Sequence, residues 1–180
     1  MSTLYYRGYS LAEILIVVAI LGLTAVVVIP VFHSNDENRL DIAADALVQA
    51  ARFARSEAMR TGQPTGFHLQ TDVQRLRLFT LDTTTNPWTP LYKVRHPISK
   101  KTYDIRLSEL PAAALEQLTV NADYPGSCNT PQLLYFDRHG TPYCSDPNLL
   151  LLTTFSATLA FKSFSRIITV HGMSGRVTLE

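Results

Sequence analysis

A chain of 180 residues has room for one ordinary domain plus an additional segment. Hydrophobic residues make up 46% of it and charged residues 17%, and this composition excludes a disordered or fibrous protein. The formal net charge of +1 provides no broad basic surface for nucleic acid. A mean hydropathy close to zero argues against a protein with several membrane spans.

The N-terminal region contains one long apolar run, from Ile14 to Phe32, without a charged residue. A helix of this length measures roughly 29 Å, which is enough to cross the hydrocarbon core of a bilayer. A buried helix of a soluble protein rarely lacks a polar face over five turns. The run therefore predicts a membrane-spanning helix.

The flanks of this run differ from those of a secretory signal peptide. The run is followed by the polar residues 33–37, which contain no Ala-x-Ala site for signal peptide cleavage. Arg7 is the only formal charge in the first twelve residues, and the positive-inside rule keeps such a segment cytoplasmic. This pattern favours a cut ahead of the run, leaving the apolar helix on the mature chain.

Two residues are unusual for a membrane span. Glu13 places a carboxylate at its edge, which marks either a functional partner or an acid that complements the helix N-terminus. Pro30 removes a helical hydrogen bond, and it marks either a kink in the helix or the end of the span. Neither residue decides between its two interpretations alone.

In combination, Gly8, Tyr9, Glu13 and Pro30 resemble the N-terminal signature of type IV prepilins. The resemblance implies cleavage by prepilin peptidase between Gly8 and Tyr9, and methylation of the new Tyr9 amine. It also implies that Glu13 pairs with the Tyr9 ammonium of a neighbouring subunit, with Pro30 as a helix kink. It places the protein in the bacterial inner membrane as a single-pass subunit with a periplasmic C-terminal domain, and then in a pilus or pseudopilus with other pilins. Tyr9 stands where the family more often has Phe.

A second helical pattern follows the apolar run. Its apolar positions recur at steps of three and four residues and form one narrow, alanine-rich stripe. Gly62 and Pro64 are a stop signal for this helix. The side chains of this stripe are small enough for another layer to approach the helix closely. The members of the stripe are Leu40, Ala43, Ala44, Leu47, Ala51, Ala54 and Ala58.

The remaining sequence favours strands separated by turns. Residues 137–140 and 171–175 are predicted hairpin turns, and the proline-rich stretch 82–127 is predicted to be a long excursion with a helical piece near 110–117. The predicted strands are Thr65–Thr71, Arg75–Leu81, Gln132–Asp137, Leu149–Thr154, Thr158–Lys162, Arg166–Val170 and Arg176–Leu179.

Four looser motifs extend the resemblance to FimT/FimU-like minor pilins and GspH-type pseudopilins. They are Ala51–Ala58, Gly62–Pro64, Tyr135–Asp137 ahead of Gly140, and Ser174–Val177. The expected fold is α+β, with a long N-terminal helix (transmembrane, then amphipathic) packed on an antiparallel β-sheet domain. The expected organisation is a cleaved leader at 1–8, an assembly helix at 9–34, its amphipathic continuation at 35–62 and a β domain at 63–180. The resemblance implies a subunit of the initiating or tip complex of a type IV pilus or type II secretion pseudopilus.

The two cysteines, Cys128 and Cys144, lie in turn-rich sequence after the apolar run. Oxidation in the periplasm predicts a disulfide between them. They lack the Cys-x-x-Cys or His-x-x-x-His spacing of a metal site, so no metal or cofactor is expected. Free thiols remain the alternative.

The sequence contains no phosphate-binding glycine loop, His-Glu-x-x-His or Gly-x-Ser-x-Gly motif, so an enzyme is not expected. A membrane-tethered periplasmic enzyme would leave the N-terminal signature as a coincidence. The alternative function is DNA capture, since some FimT-like minor pilins bind DNA, although their C-terminal Gly-Arg-x-Arg is incomplete here at Gly175–Thr178. The candidate DNA or anion contacts, with Tyr92 and Tyr103 interleaved, are Lys93, Arg95, Lys100, Lys101, Arg106 and Arg176. A solvated loop that prevents aggregation is the simpler interpretation of that basic stretch.

Overall fold

The computed structural model describes residues 9–85, 88–110, 115, 117–124, 128, 133–144 and 152–180, with only the backbone described for 23–34. The chain divides into two compact units, Met1–Glu37 and Asn38–Glu180. The leader residues 1–8, including Gly8, lie outside the described part.

The helix α1 runs without interruption from Leu11 to Thr61. Its backbone is helical through Pro30, and it ends one residue before the predicted stop at Gly62. Within the described side chains, no helix is both long enough and apolar enough to span a membrane. The second half of the predicted span falls on residues 23–34. The side chains of these residues, including that of Pro30, lie outside the described part.

The later part of α1 packs on the β domain through the predicted stripe. All seven stripe residues are buried, with Ala43, Ala54 and Ala58 fully so. Small side chains allow the helix axis to approach the strands closely, and each buried methyl group still contributes to the hydrophobic stabilisation. Arg166 also donates from Nε to Asp41 on the helix at 2.6 Å.

The described strands form two antiparallel sheets. The six-stranded sheet has the order β3-β2-β1-β6-β7, and β4 pairs with β2 beside β3. Its strands are β1 (Thr65–Gln70), β2 (Arg75–Asp82), β3 (Thr89–Leu91), β4 (Asp104–Arg106), β6 (Leu134–Phe136) and β7 (Pro142–Cys144).

The four-stranded sheet has the order β10-β9-β8-β5. Every second residue of β8 is buried, as expected for a strand with one face on the core. The strands are β5 (Thr119–Asp123), β8 (Thr154–Phe161), β9 (Phe164–His171) and β10 (Val177–Leu179), and a 3₁₀ turn occupies Leu107–Glu109.

One core joins the helix to both sheets. Phe67 on β1 meets Phe155 on β8 edge to face, with ring centroids 5.6 Å apart. Ala54 and Leu47 of α1 belong to the same buried cluster. A second cluster covers the outer face of the six-stranded sheet, where Phe79 and Tyr135 are buried with other apolar side chains. These contacts confirm the predicted α+β fold.

Several expectations of the sequence were wrong in detail. The stretch 82–127 is not one excursion, since β3, β4 and β5 lie within it. The break predicted between Thr154 and Thr158 is absent, because alternating burial continues through β8. The short strand β7 was not predicted. Most of the helical piece at 110–117 lies outside the described residues, as do 149–151 of a predicted strand.

Candidate functional site

The first turn of α1 is capped by Ser10. Its carbonyl oxygen accepts hydrogen bonds from the Glu13 and Ile14 amides, and its Oγ accepts from the Glu13 amide at 3.3 Å. Glu13 lies in the first turn, where a carboxylate complements the positive end of the helix dipole. The spacing Ser-x-x-Glu is a signal for the start of a helix. Reasoning from the sequence missed this role of Ser10.

The described apolar side chains in and just before the first turns of α1 are exposed. Tyr9 is 80% exposed and Leu11 is 77% exposed. Contiguous apolar exposure of this kind marks a surface that another apolar environment covers. The other exposed apolar residues are Ile14, Leu15, Ile16, Val17, Val18, Ile20 and Leu21.

Three of the looser sequence motifs meet at Arg55. Its Nε donates to the carbonyl oxygen of Gly140 at 3.1 Å, and its second guanidinium nitrogen donates to the Ser174 carbonyl oxygen at 2.9 Å. One turn earlier on α1, Arg52 donates to the Val177 carbonyl oxygen at 3.2 Å. The helix is thereby fastened to the β6–β7 turn and to the β9–β10 turn.

The glycines in these two turns make room for Arg55. Gly140 and Gly175 have φ values of 78° and 62°, in the region that side chains disfavour. A Cβ at either position would lie 2.9 Å from Arg55 Nε, and one at Gly175 would also overlap the Gly140 carbonyl oxygen. Both motif glycines therefore adopt a backbone conformation that favours glycine, and the arginine packed against them is a contact that sequence reasoning missed.

The candidate anion contacts lie in several different places. Lys93, Arg95 and Lys100 line an open cleft of about 780 Å³ beside the C-terminal end of α1, together with Arg60. Arg60 is paired at 2.6 Å with Glu57, which lies one turn earlier on the same helix and also lines the cleft.

The other candidates are not in that cleft. Arg106 is paired with Glu109, and Arg176 lines a separate cleft beside Arg55. Lys101 is exposed and lines neither of these clefts.

The two tyrosines of the basic stretch are engaged inside the domain. Tyr103 is buried and stacks on Phe53, with ring centroids 5.8 Å apart. Burial raises its pKa above the ordinary value. Tyr92 lies under the Arg77 guanidinium, 4.1 Å from the ring centroid, and its hydroxyl is 3.0 Å from the His68 ring. Tyr103 therefore presents no open face for stacking a base.

Cys128 and Cys144 form a disulfide, which confirms the predicted pair. Cys144 is buried at the end of β7, so the bond fastens Cys128 to the six-stranded sheet. Among the residues described here, no group of three or more His, Cys, Asp or Glu side chains could hold a metal ion.

A family profile described as type II transport protein GspH matches residues 43–174. The chain belongs to the GspH family. This profile covers most of the packed part of α1, every described strand except β10, and both hydrogen-bond acceptors of Arg55. Proteins of this family are structural pseudopilins rather than enzymes, and the pseudopilins of type II secretion are anchored in the inner membrane.

Similar proteins support the same assignment. Type II secretion system protein H of Vibrio cholerae is 32% identical over 75 residues, which are 42% of this chain and 39% of that protein. The match thus spans about two fifths of the relative's length.

Two solved structures share the fold of this GspH-family chain. The minor pseudopilin EpsH of Vibrio cholerae superposes with a TM-score of 0.53 at 18% identity, over 79% of this chain and 96% of EpsH. The type IV minor pilin FimU of Pseudomonas aeruginosa gives a TM-score of 0.50 at 18% identity, over 79% and 89%. The comparisons confirm the predicted GspH/FimU-like minor pseudopilin class.

Proposed function

We propose that this GspH-family chain is a minor pseudopilin or minor pilin that prepilin peptidase cleaves between Gly8 and Tyr9. The mature subunit is methylated at Tyr9 and is held in the inner membrane by one N-terminal span. It then assembles through that helix into the initiating or tip complex of a type II secretion pseudopilus or a type IV pilus. The single observation that supports this proposal is the uncovered apolar surface of α1 around an acidic first turn.

Glu13 has a specific role in this proposal. Its carboxylate pairs with the Tyr9 ammonium of a neighbouring subunit, inside a bundle of apolar helices. A charge in such a low-dielectric bundle is strongly unfavourable without its partner, so the pair fixes the register of one helix against the next. The same carboxylate complements the dipole of its own helix before assembly.

Replacing Glu13→Gln tests assembly directly. The variant should remain in the membrane fraction, because its apolar run is unchanged. Its amount in the filament fraction should fall by at least about tenfold, since loss of one partner leaves a buried ammonium unpaired. Glu109→Gln, which removes a carboxylate from the globular domain, is the control and should assemble normally. Normal incorporation of Glu13→Gln would rule out the pairing role.

The minor role is tested by stoichiometry. Quantitative mass spectrometry of purified filament fractions should find this chain well below the bulk subunit. A filament made mainly of this chain would contradict an initiating or tip position.

A second candidate function is DNA binding, and the cleft lined by Lys93, Arg95 and Lys100 favours it. When basic side chains neutralise the phosphates of DNA, the counterions bound to the DNA are released. The affinity for DNA would therefore fall steeply as the salt concentration rises. Gel shifts with the full chain in detergent, repeated at increasing salt, test this function. The variant Lys93→Gln should weaken DNA binding. An absence of any gel shift at low salt would exclude DNA binding as a function.

A further inference from the structure

A small cleft beside Arg55 brings together two arginines of α1 and one arginine from a distant part of the sequence. It has a volume of about 350 Å³, and its arginines are Arg52, Arg55 and Arg176. Arg52 and Arg55 are three residues apart and thus lie on one face of α1, while Arg176 follows the β9–β10 turn. The fold brings Arg176 to the same place as the two arginines of the helix.

No acidic side chain among the described residues neutralises the positive charge in this cleft. Arg52 and Arg55 donate to the carbonyl oxygens of Val177, Gly140 and Ser174, which are neutral acceptors. The described lining contains no Asp or Glu, and the ion pairs between described residues engage other arginines. Because those carbonyls hold two guanidinium groups in place, less side-chain entropy would be lost on binding an anion.

The shape and lining of the cleft distinguish between anions. Single-stranded nucleic acid is usually held by a basic groove with aromatic side chains that stack the bases. This cleft is short and has no aromatic side chain in its lining. Its remaining walls include Met59 and Val177, which suit the methylene groups of a glutamate side chain, and the hydroxyls of Ser56 and Ser174.

We propose that this cleft binds the carboxylate of an acidic side chain on a partner polypeptide. Guanidinium groups bind carboxylates through charge-assisted hydrogen bonds, and a fixed pair of them adds geometric selectivity. The site is separate from the N-terminal helix, so the proposal does not depend on cleavage, methylation or the pairing of Glu13.

Fluorescence anisotropy of labelled hexaglutamate, titrated with the full chain in neutral detergent micelles, tests the proposal. Hexaglutamate should bind, and its neutral analogue hexaglutamine should not. Arg176→Gln should weaken hexaglutamate binding by about tenfold, the value of one hydrogen bond to a charged group. Arg176 is exposed and its side chain makes no hydrogen bond among the described residues, so its removal should leave the circular dichroism spectrum unchanged.

Lys93→Gln, in the larger basic cleft, is the matched control and should change the affinity by less than about twofold. An equal loss in both variants would show diffuse electrostatic attraction and would overturn the proposal. A lack of hexaglutamate binding would overturn it as well. Tighter, Arg176-dependent binding of an oligothymidylate of the same length would assign the cleft to nucleic acid instead.

Discussion

Arg55 on α1 and Gly140 in the β6–β7 turn are joined by a hydrogen bond of 3.1 Å from the guanidinium Nε to the glycine carbonyl oxygen. The same guanidinium donates to the Ser174 carbonyl oxygen in the β9–β10 turn of the four-stranded sheet. One side chain therefore holds the helix, the six-stranded sheet and the four-stranded sheet together at one end of the domain. The sequence motifs that contain Arg55, Gly140 and Ser174 therefore meet because the arginine binds both turns.

Arg55→Ala should lower the free energy of unfolding by about 2 kcal/mol, because two hydrogen bonds from a charged donor are lost. Chemical denaturation of the full chain in detergent measures the difference. Arg138→Ala removes an exposed arginine from the same β6–β7 turn and should cost less than about 0.5 kcal/mol. Equal losses in the two variants would show that the contacts of Arg55 contribute little.

Gly175→Ala should destabilise the domain more than Gly62→Ala. Both glycines have φ above 60°, so each alanine bears the cost of a left-handed backbone, about 1–2 kcal/mol. At Gly62 nothing lies within 4 Å of the added Cβ, whereas at Gly175 it meets the Gly140 carbonyl and Arg55. Thermal unfolding of the two variants measures the excess. Identical losses would mean that the Gly140 carbonyl and Arg55 both move aside without cost.

Reducing the Cys128–Cys144 disulfide should lower the free energy of unfolding by about 3 kcal/mol, from the loop entropy regained by the unfolded chain. Denaturation with and without a thiol reductant measures this loss. The double variant Cys128→Ala with Cys144→Ala is the control, since its stability should not respond to the reductant. A reductant effect of the same size in that variant would contradict the assignment.

Acid should destabilise the domain partly through His68. Burial, and then the nearby charge of Arg77, lowers the pKa of this histidine below its ordinary value of 6.5. The unfolded chain therefore takes up the proton first as the pH falls through 6.5, and stability decreases until the folded-state pKa is passed. Above pH 6.5 both states are neutral at this residue and the contribution is complete. Denaturation at several pH values should give a flatter profile for His68→Gln, and an unchanged slope would contradict this origin.

The sequence predicted the elements whose patterns are long, and also the short strands β6 and β10, which lie within the predicted strands Gln132–Asp137 and Arg176–Leu179. The stripe from Leu40 to Ala58 and the alternating strands at β1, β2 and β9 have enough repeats to define a period. The strands β3, β4 and β7 have three residues each, and β3 and β7 contain a proline. Such segments have no period of their own and become strands only because a neighbour pairs with them.

The arginine contacts could not be predicted for a different reason. Arg52 and Arg55 occupy the polar positions of an amphipathic helix, where local patterning assigns them to solvent. Their acceptors lie 125 and 85 positions away in the chain. Sequence supplied one indirect signal, the glycines at 140 and 175, but a glycine in a turn does not reveal which side chain it accommodates.

Assembly through the N-terminal helix requires that the apolar run stays on the mature chain. Intact-mass analysis and N-terminal sequencing of the native protein determine where that chain begins. We expect a chain that begins at Tyr9, is one methyl group heavier than the unmodified sequence and retains the apolar run to Phe32. A native chain that begins at Met1, or anywhere beyond Phe32, would contradict assembly through the N-terminal helix.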